Sequence, residues 1–149
     1  MAEEKKRVGA GFGVMILRDG KILLGKRHDD PEKASSELHG EGTWTMPGGK
    51  MEFHETFEDM AYRETLEETG LHVNKDTLKV ISITNDIVYD NHYITIGFLC
   101  EDVEGEPQVM EPDEITQRQR FPLNNLPSPL YRSSEKVLKN YLDGTIYKH

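Results

Sequence analysis

Three glutamates, Glu64, Glu67 and Glu68, stand at i, i+3 and i+4, the spacing that brings side chains together on one surface of a helix. At about 100° per residue they share an arc with Phe57 and Met60 and border Ala61. Like charges beside an apolar stripe repel one another and resist desolvation unless a cation offsets them. Closely spaced hard oxygens suit Mg²⁺, with Mn²⁺ able to substitute. The same spacing taken alone also describes a solvated acidic helix face. The surrounding elements have to decide between the two.

The helix itself is well signalled. Thr56 can cap its start, with Asp59 three residues on in a capping-box arrangement, and Gly70 suits its end, which predicts a helix over about 56–69. Before it, Gly48 and Gly49 allow backbone to approach a ligand or metal closely. Residues 8–17 and 21–27 are apolar runs joined by Arg18-Asp19-Gly20, and Asp-Gly between such runs predicts a hairpin. Gly9, Gly11 and Gly13 alternate, so one strand face should press against something; their spacing is not a dinucleotide fingerprint. Residues 28–42 read as a loop long enough to be functional. Trp44-Thr45-Met46 reads as a short strand stopped by Pro47-Gly48-Gly49. Residues 78–89 and 92–100 read as strands joined through Asp90-Asn91, 101–114 as an acidic loop, 118–122 as a short strand, 123–129 as a proline-punctuated turn and 132–142 as an amphipathic helix. Hairpins interspersed with two helices predict a mixed sheet with helices packed on it.

The 149 residues are the size of one domain, taken as 1–149. A formal net charge of −9 repels phosphates, which argues against a nucleic-acid polymer or an anionic membrane as partner. A phosphate ester would need cations recruited locally, as the glutamates could do. Cys100 is the single cysteine, so no internal disulfide forms; a buried inert thiol and a reducing, cytoplasmic setting are expected. No apolar run has the length of a secretory core or a membrane span.

The stretch 48–71, GGKMEFHETFEDMAYRETLEETGL, resembles the Nudix box, G-x5-E-x7-R-E-U-x-E-E-x-G-U, with U a bulky apolar residue. Gly49, Glu55, Arg63, Glu64, Glu67, Glu68, Gly70 and Leu71 fall in step, and Thr65 departs at one U position. LLGKR, TMPGGKMEF, HYITI and EPQVMEPDE extend the likeness over most of 8–142, toward the MutT-like branch that hydrolyses nucleoside triphosphates, oxidised ones included. The resemblance implies an α/β (α+β) Nudix fold, an α/β/α sandwich around a mixed β-sheet. It also implies Mg²⁺-dependent hydrolysis of a nucleoside diphosphate linked to another group, a small-molecule nucleotide partner and a homodimer.

On this resemblance Glu67 and Glu68 are metal ligands, and Glu64 is a third ligand or the group that orients the water. The Gly49 carbonyl coordinates too. Arg63 pairs with Glu55 and holds the carboxylates in register. Glu111 or Glu114 completes the machinery, with Glu111 ahead, so the general base stays open among Glu64, Glu111 and Glu114. Arg27 is placed to meet phosphate, with Lys26 on the opposite strand face. Gly48, Gly49, His92, Tyr93 and Trp44 are further candidates for contact with substrate, although Trp44 suits the core better than a base-stacking platform. Arg118 and Arg120 stand where this branch commonly has tryptophans, so base stacking is lost and an arginine would stack on a base or hold an extra phosphate instead. Tyr89 is a weak hint toward dinucleoside polyphosphates. ADP-ribose, dinucleoside polyphosphates and prenyl diphosphates remain alternatives, as does a non-catalytic ligand sensor.

Overall fold

A computed structural model of the chain describes residues 5–34 and 40–148. Strands β1 (Gly9–Arg18) and β2 (Lys21–Arg27) form the expected hairpin, and Asp19 and Gly20 both adopt positive φ, 53° and 74°, as a primed two-residue turn requires. The two strands pair only at the turn, Leu17 with Ile22 and Arg18 with Lys21, and then part. Beyond the split, β1 pairs with β4 (Gly48–Lys50), while β2 pairs with β3 (Trp44–Thr45) and with β9 (Ile115–Pro122). The other edge of β1 runs parallel to β7 (Asn91–Cys100), which pairs antiparallel with β6 (Lys79–Val88). The sheet is therefore mixed. A second small sheet joins β5 (His72–Val73) to β8 (Val103–Glu104).

Two helices pack on opposite faces of this sheet, because side chains alternate along each strand. Phe12, Val14 and Ile16 face α2 (Phe57–Thr69) in one apolar cluster with Met60, Ala61 and Leu71. Met15 joins Ile22, Leu24 and Leu99 against Val137 and Leu138 of α3 (Arg132–Asp143) in the other. The expected sandwich is present. A short helix, α1 (Pro31–Ala34), interrupts the segment expected to be all loop, and residues 35–39 of that segment lie outside the described residues.

The α2 boundaries follow from its caps. Thr56 accepts from the Asp59 amide at 3.1 Å, and Gly70, at φ 77°, donates its amide to the Leu66 carbonyl at 2.9 Å. Only half of the capping box forms: the Asp59 carboxylate accepts from Lys75 at 2.8 Å instead of reaching back to Thr56. Three strand expectations need correction. Gly48–Lys50 does not merely end the preceding strand but forms β4, since β1 offers it a free edge once β2 has diverged. The strand expected at 118–122 begins at Ile115, because β2 supplies partners along its whole length. The β6–β7 turn is Tyr89-Asp90, with Tyr89 at φ 54° and 80% exposed, so the tyrosine is neither packed in a strand nor near a ligand cavity. No helix among the described residues is long and apolar enough to cross a membrane.

Thr65, the departure from the apolar box pattern, is wholly buried on α2, and its hydroxyl has no hydrogen-bond partner among the described residues. A stranded hydroxyl of this kind costs about 1–3 kcal/mol. Thr65→Val keeps the shape and removes the hydroxyl, so denaturant unfolding should show a gain of about 1 kcal/mol.

Candidate active site

The site is built where β4 passes the C-terminal half of α2. A Cβ on Gly48 would stand 2.1 Å from the Phe12 carbonyl oxygen, and one on Gly49 2.8 Å from the Glu64 carboxyl carbon. Only glycine permits these approaches. The Gly48 amide donates to Glu68 Oε2 at 2.9 Å, so the strand fixes one carboxylate through its backbone.

Arg63 organises the rest. Its Nε and Nη2 donate to the two oxygens of Glu55 at 2.6 and 2.9 Å, while Nη1 donates to Glu64 Oε1 at 2.7 Å and lies 3.5 Å from Glu67. The arginine thus ties the glutamate before the helix to two on it, as expected of the Arg63–Glu55 pair. Its hydrogen bonds hold the Glu55 carboxyl below the usual range and raise the Arg63 guanidinium.

The carboxylates differ sharply in environment. Burial pushes Glu68 up to about 8, against which the positive charge of Arg118 and the Gly48 amide pull down and Glu64 and Glu111 push further up. Glu64 is raised, first by burial, with Arg63 opposing. Glu111 is raised by burial and then by Glu114, Glu64 and Glu67, so the second-loop acid feels the charge of the helix acids. Glu67 is the most open, its side chain 53% exposed. As they stand, no three acidic, histidine or cysteine side chains among the described residues converge on one point. Arg63 holds Glu64 and the Gly48 amide holds Glu68.

Beside the cluster lies a cavity of about 640 Å³ between the sheet and α3, reaching from Glu68 and Gly49 past Arg118 to Ser133 and Ser134. Gly11 and Gly13 form part of its floor. The alternating glycines are only partly pressed against neighbours: Tyr93 covers Gly9, whereas a Cβ at Gly13 would meet nothing closer than Met46 at 3.8 Å. Gly13→Val therefore has room for its Cβ and takes up space in the cavity. It should raise KM about tenfold with little change in Tm, as steady-state kinetics and thermal melts would show.

Arg27 lines the cavity as expected, but its guanidinium is engaged, donating to the Ala34 carbonyl and lying 4.9 Å over the Tyr131 ring. Two expected contacts fail. Trp44 is not among the cavity-lining residues; it packs edge-on to Phe121 at 4.9 Å within the second core cluster, because α3 and β9 close over it. His92 does not line the cavity either, its Nε2 meeting Asn85 Oδ1 at 3.2 Å on the β6–β7 hairpin. Strand alternation puts Tyr93 and Thr95 on the cavity instead.

Arg118, read from the sequence as stacking on a base or holding an extra phosphate, lines the cavity, whereas Ser134, Lys50 and Thr95 were not singled out as binding residues. Arg118 is deeply buried, its Nη2 donating to the Glu68 carbonyl at 3.2 Å, and desolvation lowers its pKa. Its only sequence signal was the missing tryptophan. Ser134 holds β3 to α3, its hydroxyl accepting from the Met46 amide at 3.0 Å and sharing a 3.1 Å hydrogen bond with Thr45. Lys50 is the third residue of β4. No motif marks Ser134 or Thr95. Cys100 is buried and unpaired, and burial raises its thiol, as expected of an inert cysteine.

The fold and the Arg63-centred acid cluster meet their counterparts in known proteins. The family model described as "NUDIX domain" matches residues 7–141. A curated relative named ADP-ribose pyrophosphatase, from Methanocaldococcus jannaschii, is 34% identical over 128 residues, covering 86% of this chain and 69% of its own. The oxidized purine nucleoside triphosphate hydrolase of Danio rerio is 34% identical over 116 residues, 76% of this chain and 66% of the relative. Among solved structures, a MutT NUDIX hydrolase from Burkholderia pseudomallei superposes with a TM-score of 0.79 at 31% identity, over 91% of this chain and 98% of that one. The chain belongs to the NUDIX family, with a MutT-like fold, and the enzyme class it shares with these relatives is that of pyrophosphohydrolases.

Proposed function

We propose that the protein hydrolyses a nucleoside triphosphate, oxidised or otherwise modified forms included, to a nucleoside monophosphate and pyrophosphate. The observation that carries this reading is the buried carboxylate Glu68, pushed up to about 8, beside Glu64 and Glu111 at the mouth of a 640 Å³ cavity. Such a cluster of anionic oxygens matches a hard divalent cation, Mg²⁺ with Mn²⁺ substituting. The close approach of Gly49 to the Glu64 carboxyl suits its carbonyl as a further donor. Glu64, Glu67, Glu68, Glu111 and the Gly49 carbonyl would hold the ion. When bound, it supplies neutralisation of the diphosphate and polarisation of the attacked phosphorus.

The chain's own groups do the remainder. Arg63 keeps Glu55, Glu64 and Glu67 in register. A carboxylate among Glu64, Glu111 and Glu114 takes a proton from water as its oxygen bonds to phosphorus; the bridging P–O bond breaks and pyrophosphate leaves. Glu111 suits this role through its place beside Glu114 and the helix acids, whose charges act on it. Lys50 and Arg27 offer cations to the phosphates, and the cavity toward α3 takes the nucleoside. A cytoplasmic setting, a small-molecule partner and a homodimer belong to the same proposal; light scattering tests the last.

A Mg²⁺-supplemented substrate panel tests the reaction. Nucleoside triphosphates should give monophosphate and pyrophosphate with a kcat/KM above that for ADP-ribose. The name of the M. jannaschii relative favours ADP-ribose as a second reading, and strong ADP-ribose turnover with none on triphosphates would replace the first by the second.

A further inference from the structure

Asp86 has no part in the carboxylate cluster, yet it is wholly buried. It belongs to the row Ser82, Thr84, Asp86 on the β6 face covered by α3. Its Oδ1 is ion-paired with Lys136 Nζ at 2.8 Å, with Arg132 Nε 4.0 Å away. Its Oδ2 accepts from Thr95 Oγ1 at 2.7 Å and from Thr84 Oγ1 at 3.4 Å. Lys136 also donates to the Asn85 carbonyl at 2.7 Å, which pins α3 to the strand.

Thr95 is the link to the cavity. It lines the wall next to Gly11, its register partner, which has no side chain to cover it. An ionised carboxylate only accepts hydrogen bonds, so the single proton of the Thr95 hydroxyl is committed to Asp86. Whatever that hydroxyl can still offer the cavity is a lone pair, made more basic by the charge-assisted bond behind it. Phosphate oxygens are acceptors as well and would face this wall without a proton between them. The diphosphate is thereby turned toward the cations Lys50 and Arg27, and the other end of the ligand toward Thr95.

We infer that Asp86 is a positioning residue for specificity: through the Thr95 hydroxyl it makes the inner wall of the cavity an acceptor, selecting nucleobases that present an N–H there. This rests on the nucleotide reading above. Bases with an amino or imino hydrogen, such as guanine, adenine and cytosine, satisfy the wall; unsubstituted purine, which has none, leaves a buried acceptor unpaired.

The test compares kcat/KM for GTP, ATP, CTP and purine ribonucleoside triphosphate. For the wild type, the best amino- or imino-bearing base should exceed unsubstituted purine by about tenfold or more. Thr95→Val should bring that ratio close to parity and Thr95→Ser should restore it. Asp86→Asn, whose amide can donate to the threonine, should also relax it, with thermal melts confirming a folded chain. A ratio near parity in the wild type, or one unmoved by Thr95→Val, overturns the inference. So does a Thr95→Val penalty that falls equally on unsubstituted purine, since a sugar hydroxyl would then be the donor. If no triphosphate is cleaved but ADP-ribose is, the triphosphate reading fails separately. The wall is then judged by ADP-ribose against its unsubstituted-purine counterpart.

Discussion

Glu67→Gln is expected to lower kcat about 10²- to 10⁴-fold while leaving the folded chain as stable as before. Of the three helix acids Glu67 is the most open, its side chain 53% exposed and no nearer than 3.5 Å to Arg63. It is not among the buried polar groups, and its replacement strands no buried partner. An effect of that size without a change in Tm can come only from a role in the chemistry or in holding the cation. Steady-state kinetics with matched thermal melts decide it, and unchanged turnover would favour a non-catalytic sensor.

The second large effect concerns pH in the presence of a chelator. Burial pushes the folded Glu68 carboxyl up to about 8, far above its ordinary value of 4.5. Across that window the folded chain binds more protons than the unfolded one, so stability falls as pH rises. Metal-free protein should therefore lose several degrees of Tm between pH 5 and 8, roughly 2–4 °C per kcal/mol for a chain of this size. Glu68→Gln is neutral throughout and should flatten that slope. The same variant should lose activity, because the amide cannot replace an anionic ligand. A chelated wild type whose stability rises over this range would contradict the burial that makes Glu68 costly to ionise.

Much of this site could be read from spacing. The i, i+3, i+4 set of Glu64, Glu67 and Glu68, the caps Thr56 and Gly70, and the Asp19-Gly20 turn all express local rules, and the structure follows them. The partnership of Arg63 with Glu55 came from the family pattern, and the fold realises it at 2.6 Å. What spacing could not reveal was which face each strand residue takes once the sheet assembles. His92 and Tyr93 are neighbours, yet only Tyr93 reaches the cavity. Trp44 begins a strand beside the site, but it packs half-buried and edge-on to Phe121 of β9. β4 exists only because the β1–β2 hairpin splits, a tertiary event with no local signature. Asp86 gave no signal either, since a carboxylate in an alternating strand reads as solvent-facing until a helix is laid over it.

The proposed chemistry depends on the acidic edge of α2 binding a divalent cation jointly with Glu111. Mn²⁺ binding followed by electron paramagnetic resonance, with a non-hydrolysable nucleotide analogue present, tests it most directly. The wild type should immobilise the ion, and Glu67→Gln and Glu68→Gln should each weaken that binding about tenfold or more. Free-ion spectra in the wild type, or binding that both variants retain in full, would contradict the account.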